Sequence, residues 1–243
     1  MHPCSSTRGR MPPDPPGLAV YVGAGTGRDP LERASRLAAA AGITRQRQLL
    51  GTHASLAEVI GALRRAAAEL DPRGHLLLTF SGHSDRVRAV RDGPPEVAWR
   101  LSDGTLPLSE VAALLAAVPP TAFVTVIADT CYAAALSRFT IPAPVVLLAA
   151  CGEEQEILAN PATGFAARLE QLVLRDGQPN PACTSYLWLN RQFRRDSPDV
   201  ERPQVWTNRP SVWSQRPFRP PAGRSRPARP APADTFLARP ARP

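Results

Sequence analysis

The sequence predicts an α/β fold: a mainly parallel, six-stranded sheet with helices on both faces, a three-layer sandwich. Three observations carry this. Apolar runs such as 18–23 (LAVYVG), 75–80 (HLLLTF), 122–128 (AFVTVIA) and 144–150 (PVVLLAA) are nearly continuous, as strands buried on both faces require. Stretches of helical periodicity alternate with them, the pattern of a sheet built from strand–helix–strand units. The 243 residues are 43% hydrophobic, enough for a core, yet no run approaches the ~18 apolar residues of a membrane span.

The elements follow in order. Residues 18–23 form the first strand, closed by Gly23. Asp29–Ala41 has apolar residues at helical spacing and stops at Gly42. Residues 43–50 form a second strand. Ser55–Leu70 is amphipathic, with Leu56, Val59, Ile60 and Leu63 on one face, and ends at Asp71-Pro72. Residues 75–80 form the third strand and run into Ser81-Gly82-His83-Ser84. The charged, Gly- and Pro-containing stretch 85–107 reads as a long loop with a small hairpin around Trp99-Arg100-Leu101. Leu108–Val118 is a helix stopped by Pro119-Pro120. The fourth strand, 122–128, leads to Asp129-Thr130-Cys131, and the fifth, 144–150, leads to Cys151. Helices are expected at 164–174 and 182–193, and a sixth strand at Gln204–Thr207.

One domain is therefore expected over residues 18–217. Residues 1–17 are Pro-rich, and residues 218–243 repeat Arg-Pro and Ala-Arg-Pro, so both ends are expected to be disordered. Most of the net charge of +8 lies in the second of these. All 29 basic residues are Arg, and 218–243 holds six of them against Asp234. The 200 residues from 18 to 217 hold 21 Arg against 19 acids, which argues against a folded nucleic-acid-binding face. The N-terminal stretch has no apolar run behind a basic segment, so a cytoplasmic protein is expected. The four cysteines (Cys4, Cys131, Cys151, Cys183) form no CxxC pair and no zinc spacing, and reduced thiols are expected.

In parallel sheets the site lies beyond the carboxyl ends of the strands. That rule selects Gly23–Asp29, Ser81–Ser84, Asp129–Cys131 and Cys151–Glu153. One histidine and one well-placed cysteine fall in the set: His83 and Cys131, 48 residues apart. A cysteine nucleophile needs a partner that stabilises its thiolate and later protonates the leaving amine, and imidazole does both near neutral pH. The developing oxyanion needs N–H donors, which loops at strand ends supply. Gly82 permits a close backbone approach, read here as that of a substrate. The segment Gly23-Ala24-Gly25-Thr26-Gly27 has the place of a phosphate loop but the spacing GxGxG rather than GxGxxG, and Asp29 would repel phosphate there.

The segments LLLTFSGHS and VTVIADTCYAA resemble the catalytic segments of the caspase and metacaspase family of cysteine peptidases. WRLSDGTLPLSEVAALL and VVLLAACGEEQ…GFAARL are similar to further family segments, and the resemblance spans roughly residues 18–215. It implies a caspase-like fold with His83 and Cys131 as a catalytic dyad. It further implies backbone N–H groups at Ser84 and Cys131 as an oxyanion hole, and Asp29, Ser81 and Asp129 as a pocket for the residue before the scissile bond. Two carboxylates there would select Arg, or secondarily Lys. Peptide or protein is the implied substrate, a regulator acting in trans the implied partner, and no cofactor or metal is called for. Read without the resemblance, Asp29 and Asp129 are also natural helix caps.

The sequence departs from the family at three points. Ser84 stands where the family has Gly after the histidine, and an L-residue is strained if that loop needs a positive φ. Tyr132-Ala133-Ala134 replaces the His-Ser-Gly of metacaspases. Acidic clusters like the calcium sites of some metacaspases are not evident. A second reading therefore stands beside the peptidase: an inactive caspase-like module that binds or regulates. Arg175, in Leu174-Arg175-Asp176 between the two halves, is a candidate for self-processing.

Overall fold

The computed structural model describes residues 17–25, 29–87, 95–157, 164–196 and 202–218. Most of the predicted disordered ends, and the Arg/Pro-rich repeats with them, lie outside these residues. Phe218, the first residue of the predicted tail, is buried, and its N–H donates to the Tyr186 hydroxyl at 3.1 Å.

The strands in chain order are β1 (Leu18–Gly23), β2 (Arg45–Leu50), β3 (His75–Ser81), β4 (Ser84–Val87), β5 (Glu96–Arg100), β6 (Thr105–Pro107), β7 (Phe123–Asp129), β8 (Val145–Ala149), β9 (Leu174–Arg175), β10 (Gln178–Pro179) and β11 (Gln204–Thr207). The α-helices are α1 (Asp29–Ala40), α2 (Leu56–Glu69), α3 (Leu108–Ala116), α4 (Phe165–Val173) and α5 (Tyr186–Asp196). The main sheet has six strands in the order β11-β8-β7-β3-β1-β2. Five are parallel, and β11 closes the edge antiparallel to β8.

The order places the helices. From β1 the chain moves outward to β2, then back across β1 to β3. With right-handed crossovers, that reversal puts α1 and α2 on opposite faces. Accordingly α1 packs against α4, and α2 against α3. Arg168 of α4 donates to the Gln192 carbonyl of α5 at 3.0 Å, so α5 joins the α1–α4 layer. β1, β3 and β8 are buried at every residue, which is why they read as continuous apolar runs. The edge strand β2 (RQRQLL) is largely exposed and carries its charges outward.

The stretch 85–107 is where the structure corrects the sequence reading. It is not a loop with one hairpin; its described residues form a three-stranded antiparallel sheet, β4-β5-β6. Trp99 of β5 is buried and stacks on Phe80 of β3, with ring centroids 4.3 Å apart and planes 4° from parallel. This contact pins the small sheet to the carboxyl end of β3. The alternation that would have revealed the strands is broken by Asp, Gly and Pro. Arg175, the candidate for self-processing, lies in a tight hairpin: β9 and β10 pair across Asp176 (φ 53°) and Gly177 (φ 75°).

Candidate active site

The parallel pairing of β3 with β7 positions the two key loops. Ser81 pairs with Asp129 at the last rung. His83 and Cys131 each lie two residues further on, so they leave neighbouring strands at the same level. Two bonds bracket them. The Gly82 N–H donates to the Asp129 carbonyl at 3.3 Å. The Ser84 and Thr130 hydroxyls share a buried hydrogen bond of 2.7 Å. Sequence reasoning missed Thr130; its signal was a hydroxyl residue immediately before the cysteine, matched by a serine immediately after the histidine. Ser84 thus does something the glycine of the family could not: it ties the histidine loop to the cysteine loop.

Ser84 is not among the described residues with positive φ, so the strain considered for this position is not realised. Its backbone donor has a definite direction. The Arg100 N–H donates to the His83 carbonyl at 2.8 Å, so the next pair of the ladder, Ser84–Trp99, is a non-hydrogen-bonded one. The Ser84 N–H therefore points away from β5. Gly82 is closely approached within the fold itself. A Cβ there would lie 2.8 Å from the Ala24 carbonyl oxygen, so the close neighbour is the loop after β1.

Backbone strain appears one residue after the cysteine. Tyr132 has φ 54° and ψ 26°, a left-handed conformation that is uncommon for a bulky residue, and begins the 3₁₀ turn Ala133–Arg138. His83 is solvent-exposed and Cys131 half-buried. Among the described residues no hydrogen bond joins the imidazole to the thiol. Instead the Cys131 Sγ accepts from the Ile157 N–H at 3.4 Å and lies 3.9 Å from the Ile157 carbonyl oxygen. Ile157 also escaped sequence reasoning.

Ser81 and Asp129 line one small cleft, with Thr79 and Ile127 one step deeper on the same faces of β3 and β7. Arg33 of α1 forms part of its wall, held by Glu170 of α4 at 2.7 Å. The Arg36 guanidinium, and then that of Arg33, hold the Glu170 carboxyl below its ordinary range. Asp29 is exposed at the head of α1, where the helix dipole favours a negative charge, and is not among the cleft-lining residues. The structure therefore brings together Ser81 and Asp129, and brings His83 level with Cys131. It leaves Asp29 outside the cleft, next to its wall residue Pro30. Among the described residues no group of three His, Cys, Asp or Glu is placed to hold a metal ion.

No protein-family model matches the sequence, and neither does any curated protein. Solved structures do match. The GSU0716 protein of Geobacter sulfurreducens superposes with a TM-score of 0.72 at 22% identity, over 84% of this chain and 99% of that one. Caspase-1 from Spodoptera frugiperda superposes with a TM-score of 0.53 at 13% identity, over 80% of this chain and 86% of that one. The chain has a caspase-like α/β fold. Among the described residues no helix is long and apolar enough to cross a membrane.

Proposed function

We propose that this chain is a caspase-like cysteine endopeptidase that cleaves after Arg, and less efficiently after Lys. The observation that carries the reading is the pairing of β3 with β7. It puts Ser81 beside Asp129 at the last rung, with His83 and Cys131 each two residues further along the chain, which supports a shared site. Cys131 attacks the peptide carbonyl carbon as its proton passes to His83. The N–H groups of Ser84 and Cys131 stabilise the oxyanion. Collapse of the tetrahedral intermediate expels the amine, which takes the proton from His83 and leaves a thioester. Water, deprotonated by His83, then hydrolyses the thioester. Asp129 and Ser81 receive the basic side chain, and Asp29 adds negative charge at the mouth of the cleft. The reaction requires no cofactor. Substrates are proteins or peptides, and regulation comes from a partner in trans. A cytoplasmic location fits the free thiols of Cys131, Cys151 and Cys183.

Paired fluorogenic peptides ending in Arg and in Asp test this, with wild type and Cys131→Ala. Turnover of the Arg peptide that is lost in the variant is expected. Turnover of the Asp peptide instead would refute the pocket, and turnover surviving in Cys131→Ala would refute the nucleophile. A second reading, an inactive module that binds or regulates, is favoured by the Cys131 thiol being engaged by Ile157 rather than by His83. Failure of both peptides, with and without calcium, would favour it.

A further inference from the structure

The segment Gly152–Ile157 follows β8 and folds back over Cys131. Its backbone makes the contacts. The Gln155 carbonyl accepts from the Tyr132 N–H at 2.7 Å and lies 3.1 Å from the Cys151 thiol. Ile157 presents its own peptide to the Cys131 sulfur. A scissile carbonyl carbon must approach that same sulfur, so the segment and a substrate compete for one space.

The segment carries three glutamates, and each meets a partner outside it. Arg138 donates to Glu153 at 2.7 Å and to Glu154 at 3.0 Å. Arg86 of β4 pairs with Glu154, and the Tyr132 hydroxyl donates to Glu156. The Arg86 guanidinium also sits 5.0 Å from the centre of the Tyr132 ring. Backbone bonds thus set the segment on the thiol, and exposed ion pairs fasten it from both sides.

We propose that Gly152–Ile157 is a strap that covers the Cys131 thiol in the resting protein and is latched by Arg86 and Arg138. Substrate access requires the strap to lift. The inference rests on Cys131 being the nucleophile, but its own test does not. Exposed ion pairs are individually weak and are screened by salt, so the latch can open without unfolding the domain.

The test is the rate of Cys131 alkylation by iodoacetamide, followed by peptide mapping. Arg86→Ala combined with Arg138→Ala should speed it by about five-fold, the size expected when a few exposed ion pairs are lost. Glu153→Gln combined with Glu154→Gln should do the same from the other side. Raising NaCl to about 0.5 M should move wild type in that direction, since it screens the exposed pairs. The buried Cys151 and Cys183 should stay unlabelled throughout. Unchanged rates in both double variants would overturn the strap. So would labelling of Cys151 and Cys183 along with Cys131, which reports unfolding. Hydrolysis of the Arg peptide is followed in parallel. Faster labelling with no hydrolysis keeps the strap and discards the peptidase. Full hydrolysis in wild type that neither double variant accelerates keeps the peptidase and discards the strap.

Discussion

The floor of the cleft and its rim are held by different forces. The floor is the interior of β3, β7 and β8, where Leu77, Thr79, Thr125, Ile127 and Leu148 share the cleft's face of the sheet, are buried, and packing fixes every position. The rim is the set of loops that leave these strands. It is held by polar contacts between residues far apart in sequence: Ser84 with Thr130, Cys131 with Ile157, and Arg86 with Glu154. Apolar burial is indifferent to salt, whereas exposed ion pairs are not. The rim can therefore rearrange while the floor stays intact. Substitutions of exposed rim side chains should change chemistry at nearly constant stability, and substitutions in the floor should do the reverse.

The largest effect expected is at the rim. On the peptidase reading, His83→Ala lowers Arg-peptide turnover by about 10²–10⁴-fold, the usual worth of a general acid–base. Because the side chain is exposed, the melting temperature should move by no more than about 2 °C. A large loss of stability would show that His83 belongs structurally to the floor.

The next effect belongs to the floor. His75 is wholly buried at the start of β3, its Nε2 lies 2.9 Å from the Thr125 hydroxyl, and burial pushes its pKa down to about 4. The unfolded chain binds that proton near pH 6.5, so below this the unfolded state is favoured. The stabilising contribution is complete above about pH 6.5 and is lost as the pH falls to about 4, for a total of about 3 kcal/mol. Urea unfolding across this range measures it, and His75→Leu should flatten that part of the profile. A profile identical in the variant would show that His75 titrates normally.

Asp129→Asn comes third. Losing a charge-assisted bond of about 1.5–3 kcal/mol should cut kcat/KM for the Arg peptide by about 10–100-fold, with little change for an uncharged one. Fourth is the tie between the two loops. Thr130→Val leaves the buried Ser84 hydroxyl without this partner and should destabilise by about 1–3 kcal/mol, and Thr130→Ser should restore most of it. A double-mutant cycle with Ser84→Ala measures the coupling directly. The smallest effect is at Arg45–Glu69, where both side chains are about half exposed (46% and 49%); Arg45→Ala should change stability by less than about 0.5 kcal/mol.

The same contrast explains what was legible in the sequence. The floor announces itself, because two-sided burial demands apolar runs, and β1, β3, β7, β8 and even the antiparallel β11 fall where those runs and their flanking turns put them. His83 and Cys131 were singled out by the strand-end rule, and in the structure each lies two residues beyond the last paired rung of β3 and β7. The small sheet was not, because its buried Trp99 and Leu106 are set among Asp, Gly and Pro residues that read as a loop. Thr130 and Ile157 were not legible either. Their roles depend on which loop faces which, a property of the folded sheet order rather than of any local pattern. Asp29 stands at the head of α1, next to Pro30 of the cleft wall, and is not itself among the residues that line the cleft.

The most direct test of the central claim is covalent trapping. Wild type is treated with a peptidyl chloromethyl ketone ending in Arg, and separately with its Asp counterpart, and the adduct is located by intact mass and peptide mapping. A cysteine peptidase with a basic-selective cleft should carry the Arg adduct on Cys131, form it far more slowly as His83→Ala, and resist the Asp probe. Equal labelling by both probes, or labelling that is indifferent to His83, would contradict the account.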